Sequence, residues 1–453
     1  MKKIVEFINF DMTFLRKNLP LIVFVTIALI GGMVFIKNIG AFAGSDLRGA
    51  HYPAALALAT GQSFNEPWDQ SEKYPGADGK RHTIVGREDY FLSSVGICEK
   101  PGITDSIITK PLEPDYLYDC QKKVDDTLSS SRNTEVEAII QYPPVNYIPQ
   151  AAALRIGMDN DMDAADAQRL ARVFNLFVYV VMIAAAIRLA PRGKWLLVIL
   201  GLLPTSLFLA SSLSCDGLNI AWCFLFVAFV ARLYVQKTKI TKKQLAALII
   251  LGFGLFVLKV AYTPLLLLIL SLRKRVLPPV FKWTLFSGIF ITGCITYLVW
   301  SSNWSSLNAA ADLPVNTDIV LNNLPQAAIG ILINIFSMPM ELFEIKHSMY
   351  LGLTLAIFAG VLFSLRNVQP LRVNKFLDFV SAYRLILLGI AAAVISVGLT
   401  YAALLVTWTE IPRFGYIDIK GFQGRYVLPL LPLIILVYYL PQRIVRKTLT
   451  HDK

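Results

Sequence analysis

A carboxylate and an imidazole stand close together directly after the first long hydrophobic run of the chain. The run covers residues 19–42, and Asp46 and His51 follow it, five residues apart, where a charged stop would be ordinary. At the mouth of a membrane helix, such a pair can take a proton from a substrate held at the bilayer surface. Asp46 can also cap a short interfacial helix that runs on to residue 60. The spacing favours a membrane enzyme.

Ionisable side chains border three later hydrophobic runs. Asp216 lies in a short polar break, Lys259 interrupts an apolar stretch, and Arg425 precedes the last run. Each such group costs about 2–3 kcal/mol inside a bilayer, so it needs a partner or a use. Lys259 and Arg425 are suited to a lipid phosphate. The structural explanations are a helix cap for Asp216, snorkelling or a salt bridge for Lys259, and an interface anchor for Arg425.

Composition places these residues in a polytopic, all-α membrane protein. The 453 residues are 55% hydrophobic and only 16% charged, and residues 196–213 carry apolar or small side chains almost throughout. Several runs match the thickness of a bilayer. A soluble protein of this length would show more charge and short amphipathic helices.

The net charge of +12 reflects membrane topology. Lysines and arginines cluster in short segments beside the apolar runs, which is typical of cytoplasmic loops. No basic face with interleaved aromatic residues appears outside these loops, so nucleic acid is excluded as a partner. The first run is too long for a cleaved signal peptide and predicts a retained helix with a cytoplasmic amino terminus.

Hydropathy and the charge rule predict about ten membrane helices and a cytoplasmic carboxyl terminus. We expect residues 244–272 to form a hairpin broken at 259–264, and residues 325–343 to form a re-entrant or interfacial helix on the outer face. The ten predicted helices cover residues 20–41, 169–189, 195–214, 217–235, 244–258, 261–272, 283–301, 347–365, 382–407 and 426–441.

This topology divides the chain into five parts. The first large extracytoplasmic loop is rich in proline and glycine, and we expect interfacial helices in it. The parts are residues 1–42 (amino terminus and first helix), 43–168 (first outer loop), 169–301 (helices two to seven), 302–346 (second outer loop) and 347–453 (helices eight to ten and the tail).

Two of the five cysteines, Cys98 and Cys120, fall in the first outer loop. A disulfide between them would close a loop of about 20 residues and contribute about 3 kcal/mol. Two reduced surface thiols are the alternative, because two cysteines form no diagnostic framework.

The sequence contains no motif for binding a metal ion or a nucleotide. The four histidines are scattered, no Cys-x-x-Cys occurs, and no glycine-rich phosphate loop is present. Zinc and nucleoside triphosphate hydrolysis are therefore unsupported, and the sequence requires no cofactor.

Short motifs resemble a known superfamily. Residues 142–147 read Tyr-Pro-Pro-Val-Asn-Tyr, which resembles the stretch after the first outer loop of GT-C glycosyltransferases. Over nearly its full length the chain is similar to the bacterial membrane-protein family called domain of unknown function 2142. Beside the Tyr-Pro-Pro stretch, the segments that carry this likeness are residues 46–52, 172–194, 203–218, 259–262 and 423–429.

The resemblance implies a GT-C-like helical bundle in the bacterial cytoplasmic membrane, with its active site on the extracytoplasmic side. Such enzymes move a sugar from a polyprenyl-phosphate carrier to a glycan or lipid acceptor, with inversion. By position Asp46 matches the general base, His51 a helper, and Asp216 a group that orients acceptor or base. Leu47 and Arg48 replace the second acidic residue usual at this point, which weakens the case for a divalent metal. Substrate and lipid-phosphate binding would fall to Arg48, Tyr142, Lys259, Tyr262, Arg425 and Tyr426.

Two other classes remain open. A transporter or flippase of lipid-linked glycans would also hold cations and carboxylates in the membrane, although no internal repeat is visible. A non-catalytic assembly protein of envelope polysaccharide synthesis would tolerate the loss of Asp46.

Overall fold

The computed structural model describes residues 2–40, 51–60, 142–162, 164–302, 313–342, 376–409, 411 and 419–439. Every regular element in these ranges is a helix, and none of them contains a strand. The predictions for Asp46, Arg48, Cys98 and Cys120, and the predicted helix at 347–365, lie outside the described residues.

Seven α-helices are described between residues 2 and 235. A 3-10 turn, Pro144–Tyr147, leads directly into the third of them. The helices are α1 (Lys2–Asn38), α2 (Tyr52–Thr60), α3 (Ile148–Asp159), α4 (Ala164–Leu189), α5 (Lys194–Gly201), α6 (Pro204–Ala210) and α7 (Asp216–Val235).

The remaining part alternates α-helices with 3-10 segments. The 3-10 segments are Val260–Leu266, Gly424–Tyr426 and Leu428–Tyr439. The α-helices are α8 (Lys242–Leu258), α9 (Leu267–Leu270), α10 (Pro279–Ser302), α11 (Leu313–Asn322), α12 (Leu324–Leu342) and α13 (Phe376–Thr407).

Within the described residues, five helices are long and apolar enough to cross a membrane: Asn18–Asn38, Ala165–Leu189, Asp216–Val235, Pro279–Ser301 and Tyr383–Thr407. A sixth span would need Val315–Asn322 and Leu324–Ile335 to count as one, although they meet at a bend of 100°. Over its described residues the protein is therefore all-helical, with five or six candidate membrane spans. The segment predicted to be a re-entrant or interfacial helix, residues 325–343, is helical and corresponds to α12.

The prediction of one continuous helix over residues 195–214 is wrong, because the segment is divided into two helices, α5 and α6. Pro204 is the first residue of α6, and the residue before it, Leu203, has extended backbone angles. Proline donates no backbone hydrogen bond and disfavours a helical residue before it, so the break follows from Pro204.

The predicted hairpin over residues 244–272 is present. The Ile240 amide donates to the Val276 carbonyl at 3.1 Å, so the chain returns to the point where α8 began. Halfway along α8, a Cβ on Gly252 would lie 2.9 Å from the side chain of Leu266, which belongs to the second arm of the hairpin. Lys259 stands at the tip with an extended backbone. Both flanking basic segments therefore lie at the open end of the hairpin.

The main core lies between α1, α4, α7 and the later helices, with Phe24, Tyr179 and Phe224 fully buried. A second, smaller core joins α2 and α3 to the turn before α7, around Tyr52 and Tyr147. This smaller core marks the end of the bundle at which α7 begins. The 20 residues of α7 span about 30 Å, so its first residue lies about one bilayer thickness from the basic segment after Val235.

Candidate functional site

The site is built on the turn over residues 211–215, from which α7 begins. Asp216 is the first residue of α7, while the capping position belongs to Cys215, which makes no side-chain cap. The Asp216 carboxylate instead lies 3.3 Å from Lys259 Nζ and 3.6 Å from Arg425 Nε. The helix-cap explanation of Asp216 is therefore not what the structure shows. Its carboxylate joins two cations from distant parts of the chain.

The three charged side chains are largely removed from water. Asp216 is 9% exposed, Lys259 10% and Arg425 18%. Of the two structural explanations for Lys259, the salt bridge is observed, and its ammonium does not extend to an exposed position. With two cations and one carboxylate, the cluster carries a net positive charge in a weakly screened environment. Such a centre attracts an anion.

Three tyrosine rings surround the Lys259 ammonium. Its Nζ lies 4.7 Å from the ring centre of Tyr426, 5.1 Å from Tyr142 and 6.0 Å from Tyr262. Ring faces attract cations at these distances. The Tyr262 hydroxyl donates to the Tyr426 carbonyl at 3.0 Å, which joins the hairpin tip to the segment that carries Arg425. Burial raises the pKa of the Tyr142 phenol, so its hydroxyl stays protonated at neutral pH.

His51 lies beside the cluster, with both ring nitrogens engaged. Its Nδ1 lies 3.0 Å from the Tyr147 hydroxyl, and its Nε2 lies 3.3 Å from Ser214 Oγ. Its ring is stacked on Tyr142, with 8° between the planes. Ser214 Oγ also accepts the Asp216 amide at 3.1 Å. His51, directly before α2, thus contacts Ser214, whose hydroxyl accepts the Asp216 amide. The geometry suits a residue that supports the position of Asp216.

Buried amides, which the motifs alone did not single out, hold the turn. Asn175 Nδ2 donates to the carbonyls of Ser212 and Ser214 at 3.0 and 2.9 Å, and Gln150 Nε2 donates to the Ser214 carbonyl at 3.2 Å. Both amide side chains are fully buried. The sequence signal was an asparagine within the apolar stretch 173–187 of α4, where a buried polar group needs a partner.

A second amide pair fixes the tip of the hairpin. Asn146 Nδ2 donates to the Leu258 carbonyl at 3.0 Å, and Asn219 Nδ2 lies 3.3 Å from Asn146 Oδ1. Asn219 also donates to the Cys215 carbonyl at 3.0 Å. Since Leu258 directly precedes Lys259, these linked amides fix the position of the lysine relative to the start of α7.

Gly217 allows α6 to pack against the start of α7. A Cβ at this position would lie 2.8 Å from Ala210 Cα, a backbone atom that cannot rotate away. The Ser-Cys-Asp-Gly sequence therefore requires glycine beside the aspartate for steric reasons.

The structure brings together all the predicted site residues that it describes: His51, Tyr142, Asp216, Lys259, Tyr262, Arg425 and Tyr426. Within the described ranges, no group of three or more histidine, cysteine, aspartate or glutamate side chains is arranged to hold a metal ion. Cys215, Cys223 and Cys294 are free thiols. The arrangement is suited to binding an anion beside aromatic rings.

One family model matches the chain, over residues 50–434, and describes a predicted membrane protein family, DUF2142. No curated protein and no solved structure matches it significantly. The family match covers every residue of the cluster described above, together with the turn and the hairpin that position it. The chain belongs to the DUF2142 family of predicted membrane proteins.

Proposed function

We propose that this protein is an inverting glycosyltransferase. It would move a sugar from a polyprenyl-phosphate donor to a hydroxyl of an envelope glycan or lipid acceptor at the extracytoplasmic face of the bacterial cytoplasmic membrane. The observation that carries the proposal is the buried cluster in which Lys259 and Arg425 meet at Asp216. Two cations from segments far apart in sequence converge at one end of a membrane bundle.

The donor phosphate is the anion assigned to this cluster. Lys259 offers an ammonium and Arg425 a planar guanidinium, and charge-assisted hydrogen bonds from both suit phosphate oxygens. Asp216 keeps the two cations together before the donor arrives, so that little reorganisation is needed on binding. Preorganised cations in a site that excludes water stabilise the charge that develops on a leaving phosphate.

The reaction is a single displacement. The acceptor oxygen attacks the anomeric carbon while the bond from that carbon to the phosphate oxygen breaks, and the phosphate leaves with the electron pair. The hydroxyl proton passes to Asp46, which the family resemblance assigns as general base. Attack and departure take place on opposite faces of the sugar, so the anomeric configuration inverts and no second carboxylate nucleophile is needed.

The distribution of charge favours transfer over transport. α7 carries no charged residue between Asp216 and Arg232, and residues 244–258 carry none at all. Transporters place their binding groups near the midplane, reachable from both sides. Here the ionisable groups of these helices lie at the ends, which suits a fixed site open to one side.

The proposal is tested by glycan analysis of cells that lack the protein. These cells are complemented with wild type, Asp46→Asn, Lys259→Ala or the control Lys282→Ala, a buried lysine that donates to the carbonyls of Leu270 and Leu272. At equal membrane abundance, wild type and the control should restore the missing sugar, whereas the two site variants should accumulate its carrier lipid.

Purified protein in detergent separates transfer from transport, because detergent leaves no compartments. Transfer of labelled sugar under these conditions supports the enzyme. If Asp46→Asn complements fully, the base assignment is wrong, and a transporter or an assembly protein becomes the better account.

A further inference from the structure

Arg172, near the start of α4, is buried and donates to four main-chain carbonyls. Its Nε donates to Ser211 at 2.7 Å, and its two terminal nitrogens donate to Phe35, Ile36 and Ile39 at 3.2, 3.2 and 2.9 Å. Three of these acceptors belong to the last turn of α1 or follow it directly. The fourth is the first residue of the turn that leads to Asp216.

This geometry is that of a helix cap supplied by a different helix. The last four carbonyls of an α-helix have no partner within it, and a cation is favoured near them by the helix dipole. Only arginine offers five donors in a fixed planar fork, so one side chain can reach two separate backbone segments. Arg172 therefore joins the carboxyl end of α1 to the turn over residues 211–215.

The same turn is also contacted by His51, which lies between α1 and α2, directly before α2. This histidine is the first described residue after segment 41–50, and its Nε2 lies 3.3 Å from Ser214 Oγ. Arg172 thus links Ile39 to Ser211, while His51 lies within hydrogen-bond distance of Ser214, so both sides of segment 41–50 are connected to one short turn. That turn continues directly into Asp216.

We infer that Arg172 is a positioning residue, which fixes the end of α1 relative to the turn that carries Asp216. The inference rests on the proposed function for its kinetic consequence, because the segment that leaves α1 carries the assigned base. Misplacement of a reacting group by about 1 Å can cost about 100-fold in rate. Arg172 makes none of its four hydrogen bonds to Lys259 or Arg425, but it holds the turn before Asp216. Its loss should therefore lower kcat more than it raises KM for the donor.

The experiment compares Arg172→Gln, Arg172→Lys and the control Arg169→Gln. Arg169 lies three residues earlier on α4, is about half exposed and pairs with Asp166 at 2.6 Å. Hydrogen exchange of peptides covering residues 33–40 and 211–216 reports the clamp independently of catalysis. Transfer of labelled sugar from a polyprenyl-phosphate donor reports kcat and KM.

In Arg172→Gln we expect faster exchange in both peptides and a kcat about 100-fold lower, with a smaller rise in KM. Arg172→Lys keeps the positive charge but not the fork, so it should fold and show intermediate effects, while Arg169→Gln should behave as wild type. Exchange in Arg172→Gln equal to that of wild type would overturn the clamp. Faster exchange with unchanged kcat would overturn the positioning role.

One further result would contradict only the proposed function. If wild type transfers no sugar, the glycosyltransferase proposal fails, and the exchange data alone decide the clamp. Faster exchange at both peptides in Arg172→Gln, but not in Arg169→Gln, would then still support it.

Discussion

The two ends of the helical bundle both collect cations, but in different environments. At the end where the hairpin opens, seven basic side chains lie at the surface. They are Lys237, Lys239, Lys242, Lys243, Arg273, Lys274 and Arg275. At the opposite end, Lys259 and Arg425 are largely buried and share one carboxylate. Exposed cations beside membrane helices set orientation. Buried ones need a specific partner.

Burial alone does not distinguish the two ends. Lys282 is buried at the hairpin-opening end as well, where its Nζ donates to the Leu272 carbonyl at 2.8 Å, and Arg384 donates to the Ser271 carbonyl at 2.7 Å. These acceptors are backbone carbonyls directly after α9, and such buried carbonyls require a hydrogen-bond donor at all times. The Asp216 carboxylate is a charged side chain that an incoming phosphate can replace as a partner. The kind of acceptor therefore separates a structural cation from one available to a ligand.

The largest difference between the ends should appear on removing one buried lysine from each. We expect Lys259→Met to lower sugar transfer by about 100-fold or more, as does loss of one group that stabilises developing charge. Lys282→Met removes a buried lysine of the hairpin-opening end and should cost stability, with kcat for the folded protein retained. Purified variants are compared in a transfer assay normalised to folded protein. Equal losses of kcat would break the distinction.

Asp216→Asn is expected to have the next largest effect, since it leaves two buried cations without their carboxylate. Removing one member of a buried charge group costs about 3 kcal/mol, so the variant should unfold at lower temperature. Adding a polyprenyl phosphate should restore part of this stability, because the ligand supplies the missing negative charge.

Thermal unfolding with and without the ligand measures this effect. The control Asp166→Asn removes an exposed carboxylate paired with Arg169 and should change little. If the ligand raises the unfolding temperature of wild type and Asp216→Asn equally, the phosphate does not bind at this carboxylate.

A smaller effect is expected at Gly217, which follows Asp216 and packs against the backbone of Ala210. Gly217→Ala should lower stability by about 1–3 kcal/mol, because the new methyl group would meet the backbone of Ala210. Gly288→Ala, in α10, is the matched control, since a Cβ there meets nothing within 4 Å. The control should be neutral or stabilising by up to about 1 kcal/mol. Denaturant unfolding distinguishes them, and equal stability of the two variants would contradict the packing argument.

The smallest effect is expected from the exposed cations of the hairpin-opening end. Lys274→Gln combined with Arg275→Gln should leave sugar transfer unchanged and shift stability by no more than about 0.5 kcal/mol, because both side chains lie at the surface. Transfer kinetics at low and high salt measure this. A marked fall in kcat would show that this end also contributes to the reaction.

The sequence predicted the membrane class, the family and the residues that meet in the cluster, because ionisable groups in apolar runs are conspicuous. The predicted hairpin at Lys259 followed from basic segments on both sides of it. The Leu202–Leu203 break was missed, since hydropathy averaged over a window does not register one Pro204. Among the described residues five helices qualify as membrane spans, or six if the bent pair counts as one span. The predicted number of about ten is therefore not confirmed.

The partners of each site residue were beyond prediction, because they depend on how distant segments pack. The sequence suggested a helix cap for Asp216, snorkelling or a salt bridge for Lys259, and an interface anchor for Arg425. It did not identify Asp216 as the carboxylate that joins the two cations. The same holds for Asn175 and Gln150, whose donors reach carbonyls of a turn more than 30 residues away. Transfer chemistry and the role of Asp46 stay predictions.

The last segment of the bundle gains length from its backbone geometry. Leu428–Tyr439 is a 3-10 helix of 12 residues that contains Pro429 and Pro432, and each residue of such a helix advances about 2.0 Å, against 1.5 Å in an α-helix. The same residues thus extend over about 24 Å, where an α-helix would cover about 18 Å. Arg192 holds the far end through the Tyr438 carbonyl. With that far end fixed, relaxation to an α-helix would withdraw Arg425 from Asp216 by about 6 Å, so the reach of this arginine depends on the 3-10 geometry of the segment.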